Sequence, residues 1–189
     1  MSAAKARTYQ IDAMVTGAVR QLRGGAPPDL LLQPFNDYGN GQRLIAVQRH
    51  NLRYCHDFRK WLAWDGRRWA VDESDLARKM VQDAMLEFAR QAMASGNETT
   101  SKFAGRCLNS QRLTSALYEA QPHLAIQPSE LDSHPYVLNF ANGTVDLRTG
   151  QLTAPNRKHF ITKLVHFDYA WAPLAPYSCA SCAGFWVMS

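Results

Sequence analysis

Three indoles fall within nine residues in Trp61-Leu62-Ala63-Trp64-Asp65-Gly66-Arg67-Arg68-Trp69, and a fold for this chain has to house them first. The stretch reads as two short strands around an Asp-Gly turn. Asp65-Gly66 suits a two-residue type I′ loop, since both central residues need positive φ and Gly adopts it without steric cost. Such a loop places Trp64 opposite Arg67. Alternation along the strand puts Trp61 and Ala63 on one face and Leu62 and Trp64 on the other. Two readings follow. As core, each indole is worth ~3–5 kcal/mol when truncated. As a ligand surface, one indole with Arg67 and Arg68 beside it forms a stacking platform for nucleic-acid bases.

Charge is distributed unevenly around this stretch. Residues 1–71 hold eleven Lys/Arg against five Asp/Glu, while residues 72–189 hold ten against eleven. Between Arg43 and Arg68, seven basic residues face only Asp57 and Asp65. A local basic field of this kind attracts phosphate. A solvated basic face with no ligand is the plainer reading.

Before the tryptophans, Ile11, Met14, Val15, Ala18, Val19 and Leu22 make the stripe of an amphipathic helix. Gly24-Gly25 and Pro27-Pro28 end it and read as a linker. Asn36 or Asp37 is placed to cap a helix running to about His50. Gly39 and Gly41 within it do not make a phosphate loop, because the pattern and its trailing Lys-Ser/Thr are missing. Leu52 to Cys55 reads as a strand entering the tryptophan hairpin. Asp72-Glu73-Ser74 introduces a long helix from Asp75 to Ala94, with Leu76, Met80, Ala84 and Phe88 in one row and Val81 and Met85 beside it. Thr99–Cys107 and a segment from Ser110 to Pro122 read as two shorter helices, the latter burying Leu113, Ala116, Leu117 and Ala120.

From Tyr136 the period returns to two. Tyr136–Phe140, an Asn142-Gly143 turn and Thr144–Leu147 form a hairpin, Gln151–Thr153 continues it, and His159–Val165 is a last strand candidate. The fold class expected is therefore α+β: central helices flanked by small antiparallel hairpins that share one sheet.

No apolar run spans a bilayer, and Met1–Arg20 lacks a signal-type apolar core, so a cytoplasmic protein with no membrane contact is expected. Cys55, Cys107, Cys179 and Cys182 do not form a disulfide framework. Cys179-Ala-Ser-Cys182 has C-x-x-C spacing without the second pair a structural zinc site needs, so no metal and no cofactor are expected. The histidines, His50, His56, His123, His134, His159 and His166, are scattered, and no Ser/His/Asp set is present. Asp83 and Glu87 lie one turn apart on the long helix, where a solvated face is the plain reading and acid–base work the sharper one.

Three blocks taken in order resemble a known family. They are Asp37-x-Gly39-Asn40-x-x-Arg43-Leu44, then Leu52-Arg53-Tyr54 with Trp61-Leu62-x-Trp64-Asp65-Gly66-x-x-Trp69, and then Leu138-Asn139-x-x-Asn142-Gly143-Thr144-Val145-Asp146-Leu147-Arg148-Thr149-Gly150. Their order resembles the N-terminal accessory domain of phage, plasmid and poxvirus-type DNA primase–helicases, which precedes a superfamily 3 helicase motor. Ile161-Thr162-Lys163 and Tyr169 fit its closing portion. The resemblance implies primase or helicase activity for full-length relatives; it places no active site in this chain, so the catalytic residues named are none and the question of enzyme activity stays open. It also implies a helicase motor or primase domain as partner. The chain has no G-x-x-x-x-G-K-[ST] loop. The organisation expected is a helix and linker over 1–28, the accessory domain over 29–170, and an irregular tail over 171–189 that looks like a truncation or frame-shift product.

The function expected is a DNA-replication accessory domain that contacts DNA, single-stranded or forked, or its neighbouring domains. Arg43, Arg49, Arg53, Arg59, Lys60, Trp64, Arg67 and Arg68 are the candidate nucleic-acid contacts. An interaction or oligomerisation module without nucleic-acid contact is the alternative. A small hydrolase using Asp146 or the Asp83/Glu87 pair is the third reading.

Overall fold

Helix α1, Asp37–Gln48, begins where Asn36 supplies its side-chain oxygen to Gly39 N at 2.8 Å in the computed structural model, which describes residues 28–170. Two glycines in a helix of this length cost ~1 kcal/mol each relative to alanine. Their reason is contact. A Cβ on Gly39 would lie 1.9 Å from the Pro34 carbonyl oxygen, and one on Gly41 would lie 2.8 Å from Cβ of Glu119. Gly41 thus lets α1 press against α4, Ser110–Ala120. Gly39→Ala forces the Pro34 backbone aside, and a loss of about 1–3 kcal/mol is expected, read as a lower midpoint in urea. An unchanged midpoint would show that the Pro34 turn yields freely.

The longest helix, α2, spans Leu76–Ala94 and is central to the core. Asp72 starts it, its carboxylate accepting from Leu76 N and Ala77 N at 2.8 Å each. The expected row of Met80, Ala84 and Phe88, with Val81 and Met85, is buried, and Leu76 packs at its margin. Helix α3, Glu98–Cys107, is capped by Asn97, and α4 by Asn109. The helix starts fall one residue before the expected Thr99 and at the expected Ser110.

Strands β1 (Leu52–Cys55), β2 (Lys60–Trp64) and β3 (Trp69–Val71) form an antiparallel sheet in that order. One face, with Leu52 and Ala63 buried and Trp61 beside them, lies on the helices. The other carries Cys55, Leu62 and Trp69 into a smaller cluster with Ile126, closed by Trp64, Leu131 and Phe160. The loop differs from the expected two-residue turn. Trp64 pairs with Trp69, not Arg67, so Asp65-Gly66-Arg67-Arg68 is a four-residue loop. Its closing bond is Asp65 N to Arg68 O at 3.0 Å, and the Asp65 carboxylate accepts from Arg67 N and Arg68 N at 2.8 Å. Asp65 therefore builds the turn through its side chain, and only Gly66 takes positive φ, at 97°.

The hairpins do not share one sheet. Strands β4 (Val137–Phe140), β5 (Gly143–Asp146) and β6 (Gln151–Thr153) make a second three-stranded antiparallel sheet. Phe140 pairs with Gly143, so Ala141-Asn142 is the turn and Gly143 opens the return strand. The reason the sheets stay separate is the segment expected as a last strand. Residues Arg157–His159 form a 3-10 turn, Phe160 takes φ 48°, and the following backbone divides its bonds. Ile161 O accepts from Trp69 N of the first sheet at 2.8 Å, while Val165 N donates to Asn139 O of the second at 2.9 Å. Asn139 is buried and adds a bond from Nδ2 to Arg67 O at 2.8 Å. The two sheets are stitched through a buried asparagine and one irregular segment, so the α+β class holds with two sheets in place of one. No helix among the described residues is long and apolar enough to cross a membrane. The expected N-terminal amphipathic helix, the C-x-x-C pair and the 171–189 tail lie outside the described residues.

Candidate nucleic-acid interface

The strand register sorts the eight candidate residues. Leu52 pairs with Ala63 and Cys55 with Lys60, so one end of the first sheet carries the start of β1, the end of β2 and the 65–68 loop. Arg49, Arg53, Trp64, Arg67 and Arg68 gather there. Arg59 and Lys60 are exposed at the opposite end, roughly 10–13 Å away at 3.3 Å per residue. Arg43 belongs to neither end.

Arg43 is fully buried on α1. Its Nε donates to Leu30 O at 3.0 Å, Nη1 to Pro34 O at 3.0 Å and Asn40 Oδ1 at 3.2 Å, and Nη2 to Gln33 O at 2.6 Å. The guanidinium lies 3.9 Å from the Phe88 ring centroid. Burial pushes it down to about 10, so it is still charged at neutral pH. No phosphate reaches such a group. Arg43 is an internal strut that ties residues 30–34 to the helical core, and its place among the phosphate contacts is corrected. The Asp37-x-Gly39-Asn40-x-x-Arg43-Leu44 block is accordingly architectural, with Gly39, Asn40, Arg43 and Leu44 all buried.

The 65–68 loop is less open than arginines around an Asp-Gly turn suggest. The Arg68 guanidinium donates to Thr162 O at 3.0 Å and sits 3.6 Å from the Asp65 carboxylate, both side chains about one-third exposed. Arg67 is half-buried, its carbonyl held by Asn139. Arg67 ties the hairpin to the second sheet through Asn139, and Arg68 ties it to the irregular segment at Thr162.

What remains at this end is a basic and aromatic face. Arg49 and His50 are exposed where α1 ends, Arg53 is half-buried on β1, and Arg49 Nε donates to His50 Nε2 at 3.1 Å. Arg53 Nη1 bonds to Arg49 O and to Leu52 O, so part of its charge serves the carbonyl end of α1. Its guanidinium lies 5.4 Å from the Trp69 ring and 5.7 Å from Phe160. Trp64 is half-buried, meeting Trp69 edge-on at 5.9 Å.

Arg157 joins this face from the far end of the sequence, its guanidinium 5.8 Å from the Trp64 ring. The sequence reading missed it. Arg157-Lys158-His159 is a basic triplet, but Arg157 and Lys158 lay just before a supposed strand, and only the return of that segment to Trp69 brings them here. The Arg157 carbonyl accepts the Trp69 indole N–H at 2.8 Å. His50 feels Arg49, Arg53 and Arg157 together: its pKa is lowered, first by burial and then by these three cations.

The acidic candidates do not converge. Asp146 stands on the second sheet, where it accepts from Arg148 N at 2.8 Å, and that bond lowers its pKa, the opposite of a general acid. Glu87 on α2 is held by Arg90 and Gln91.

No curated protein matches this sequence. The family model described as D5 N terminal like matches residues 41–186, from within α1 through both sheets and into residues outside the described part. That span carries Arg43 and Leu44 from the end of the first block, all of the tryptophan hairpin and all of the Asn-Gly hairpin. The chain belongs to the D5 N terminal like family, the N-terminal domain of D5-like phage, plasmid and poxvirus primase–helicases.

Proposed function

We propose that this domain serves a primase–helicase as a DNA-contacting accessory module and that nucleic acid meets it at the Arg49, Arg53, Trp64 and Arg157 end of the first sheet. The observation that carries this reading is the placement of Arg157 over the Trp64 ring, beside two arginines from other elements. Arg157 at the half-buried Trp64 ring, with Arg49 and Arg53 sharing His50 with it, offers phosphate neutralisation and a stacking surface together. Arg59 and Lys60, exposed at the other end, extend the basic track. ATP turnover is assigned to a motor domain, because the phosphate-cradling loop such a motor needs does not occur in this sequence.

The test is binding of a thymidine oligonucleotide followed by fluorescence anisotropy at about 50 and 200 mM salt. The parent should bind more weakly at the higher salt. Changing Arg49 and Arg157 together to alanine should weaken binding and flatten the slope of log K against log salt by roughly 1.4, at about 0.7 per contact on single strands. The fold should survive, since Arg49 is exposed and the Trp69 bond to residue 157 uses its backbone. A double variant with the parent's affinity and slope would remove this face as the contact. Salt-independent behaviour of the parent would favour the module that docks on neighbouring domains without nucleic acid.

A further inference from the structure

We propose that anion binding at this face takes up one proton, and that His50 is the group that receives it. The proposal rests on the nucleic-acid reading above and deepens it by naming how that site is regulated.

The geometry favours one protonation state of the unliganded face. Arg49 Nε is a donor at all accessible pH, and it points at His50 Nε2 from 3.1 Å. This arrangement suits an Nε2 that presents a lone pair, as in the neutral ring with its proton on Nδ1. The surroundings favour that state. Arg49 from the end of α1, Arg53 from β1 and Arg157 from the 157–159 turn are all positive and all act on His50, with partial burial adding to them. Glu130 stands near Arg53 and favours its charged form against burial. The nearest other histidine in sequence to Arg157 is His159, whose ring meets His134 at 5.0 Å.

A phosphodiester placed among these arginines reverses the balance. Its negative charge cancels the repulsion that keeps the imidazole neutral, and Arg49 turns its Nε–H toward the phosphate oxygen. Nε2 is then free to take a proton from solvent and donate it as a hydrogen bond to the same anion. One proton is gained, no bond to carbon or phosphorus changes, and the phosphodiester keeps its single charge throughout. Linkage then sets the sign. The imidazole pKa is below its ordinary value in the free protein and above that free-protein value in the complex. Affinity is highest in acid, falls by up to about tenfold per pH unit between the two values, and is flat above the higher one.

A thymidine oligonucleotide is the suitable probe, because thymine does not titrate between mild acid and neutrality. Its affinity for the intact chain should be at least about threefold tighter at pH 5.5 than at pH 8, across the histidine range. His50→Gln should abolish that pH dependence, whatever its absolute affinity, while His159→Gln should keep it. In the parent, the His50 ring proton resonances should titrate at higher pH with the oligonucleotide present than without it. Salt-dependent binding with no pH dependence would overturn the proposal and leave the nucleic-acid reading standing. So would the parent's pH dependence persisting in His50→Gln. Absence of salt-dependent binding at every pH would overturn both.

Discussion

Arg43→Ala is expected to lower folding stability by about 3–5 kcal/mol, because it strips a donor from three backbone carbonyls at once. A carbonyl left buried without a partner costs ~1–3 kcal/mol, in full at Leu30, whose bond is buried, and in part at Gln33 and Pro34, whose bonds are partly buried. The Leu30, Gln33 and Pro34 oxygens all depend on this guanidinium, and the space against Phe88 is emptied as well. Burial lowers the Arg43 pKa to about 10, so the folded state holds this proton less tightly than the unfolded chain does. The sign follows: burying the charge costs stability across the neutral range, and the oxygens and the Phe88 face offset that cost. Arg43→Lys should recover only part of the loss, since one ammonium cannot span carbonyls that three separate nitrogens now reach. For a chain of this size about 4 kcal/mol corresponds to a drop of roughly 8–16 °C in Tm. A thermal melt within two or so degrees of the parent would mean that water satisfies those carbonyls and that Arg43 is no strut.

The second large effect is expected at Trp69. The indole is 1% exposed, its N–H bonds to Arg157 O at 2.8 Å, and its ring packs on Phe160 at 5.7 Å. Trp69→Ala should cost ~3–5 kcal/mol by the usual toll of a buried aromatic. It should also release the 157–161 segment and with it Arg157. Trp64→Ala removes a half-buried ring and should cost less stability. If the face binds bases, the same change should weaken single-strand binding by ~1–3 kcal/mol. A denaturation curve and a binding titration on both variants separate the two indoles. Equal stability losses would contradict the division drawn between them. Full oligonucleotide binding by a folded Trp64→Ala protein would end the stacking role.

Local signals reached far in this chain. Asn36 and Asp72 announce helix starts because each satisfies orphan backbone N–H groups a few residues on, and that chemistry needs no distant partner. The apolar row on α2 and the alternation through β1, β2, β4 and β5 likewise follow from the periods of helix and strand. The order of three short blocks was enough to point to the family.

Three matters were decided only by tertiary contact. The first is the fate of Arg43. Nothing in its neighbours along the chain separates it from Arg49, yet the approach of residues 30–34 buries one and leaves the other in solvent. The second is the separation of the sheets, set by a segment whose backbone bonds go to Trp69 on one side and Asn139 on the other. The third is the make-up of the basic face, where Arg157 joins Arg49, Arg53 and Trp64 across most of the domain. Sequence patterns report what a residue does within a turn or along a strand. Which charges end up buried against carbonyls, and which end up sharing a surface, depends on close packing between segments far apart in the chain.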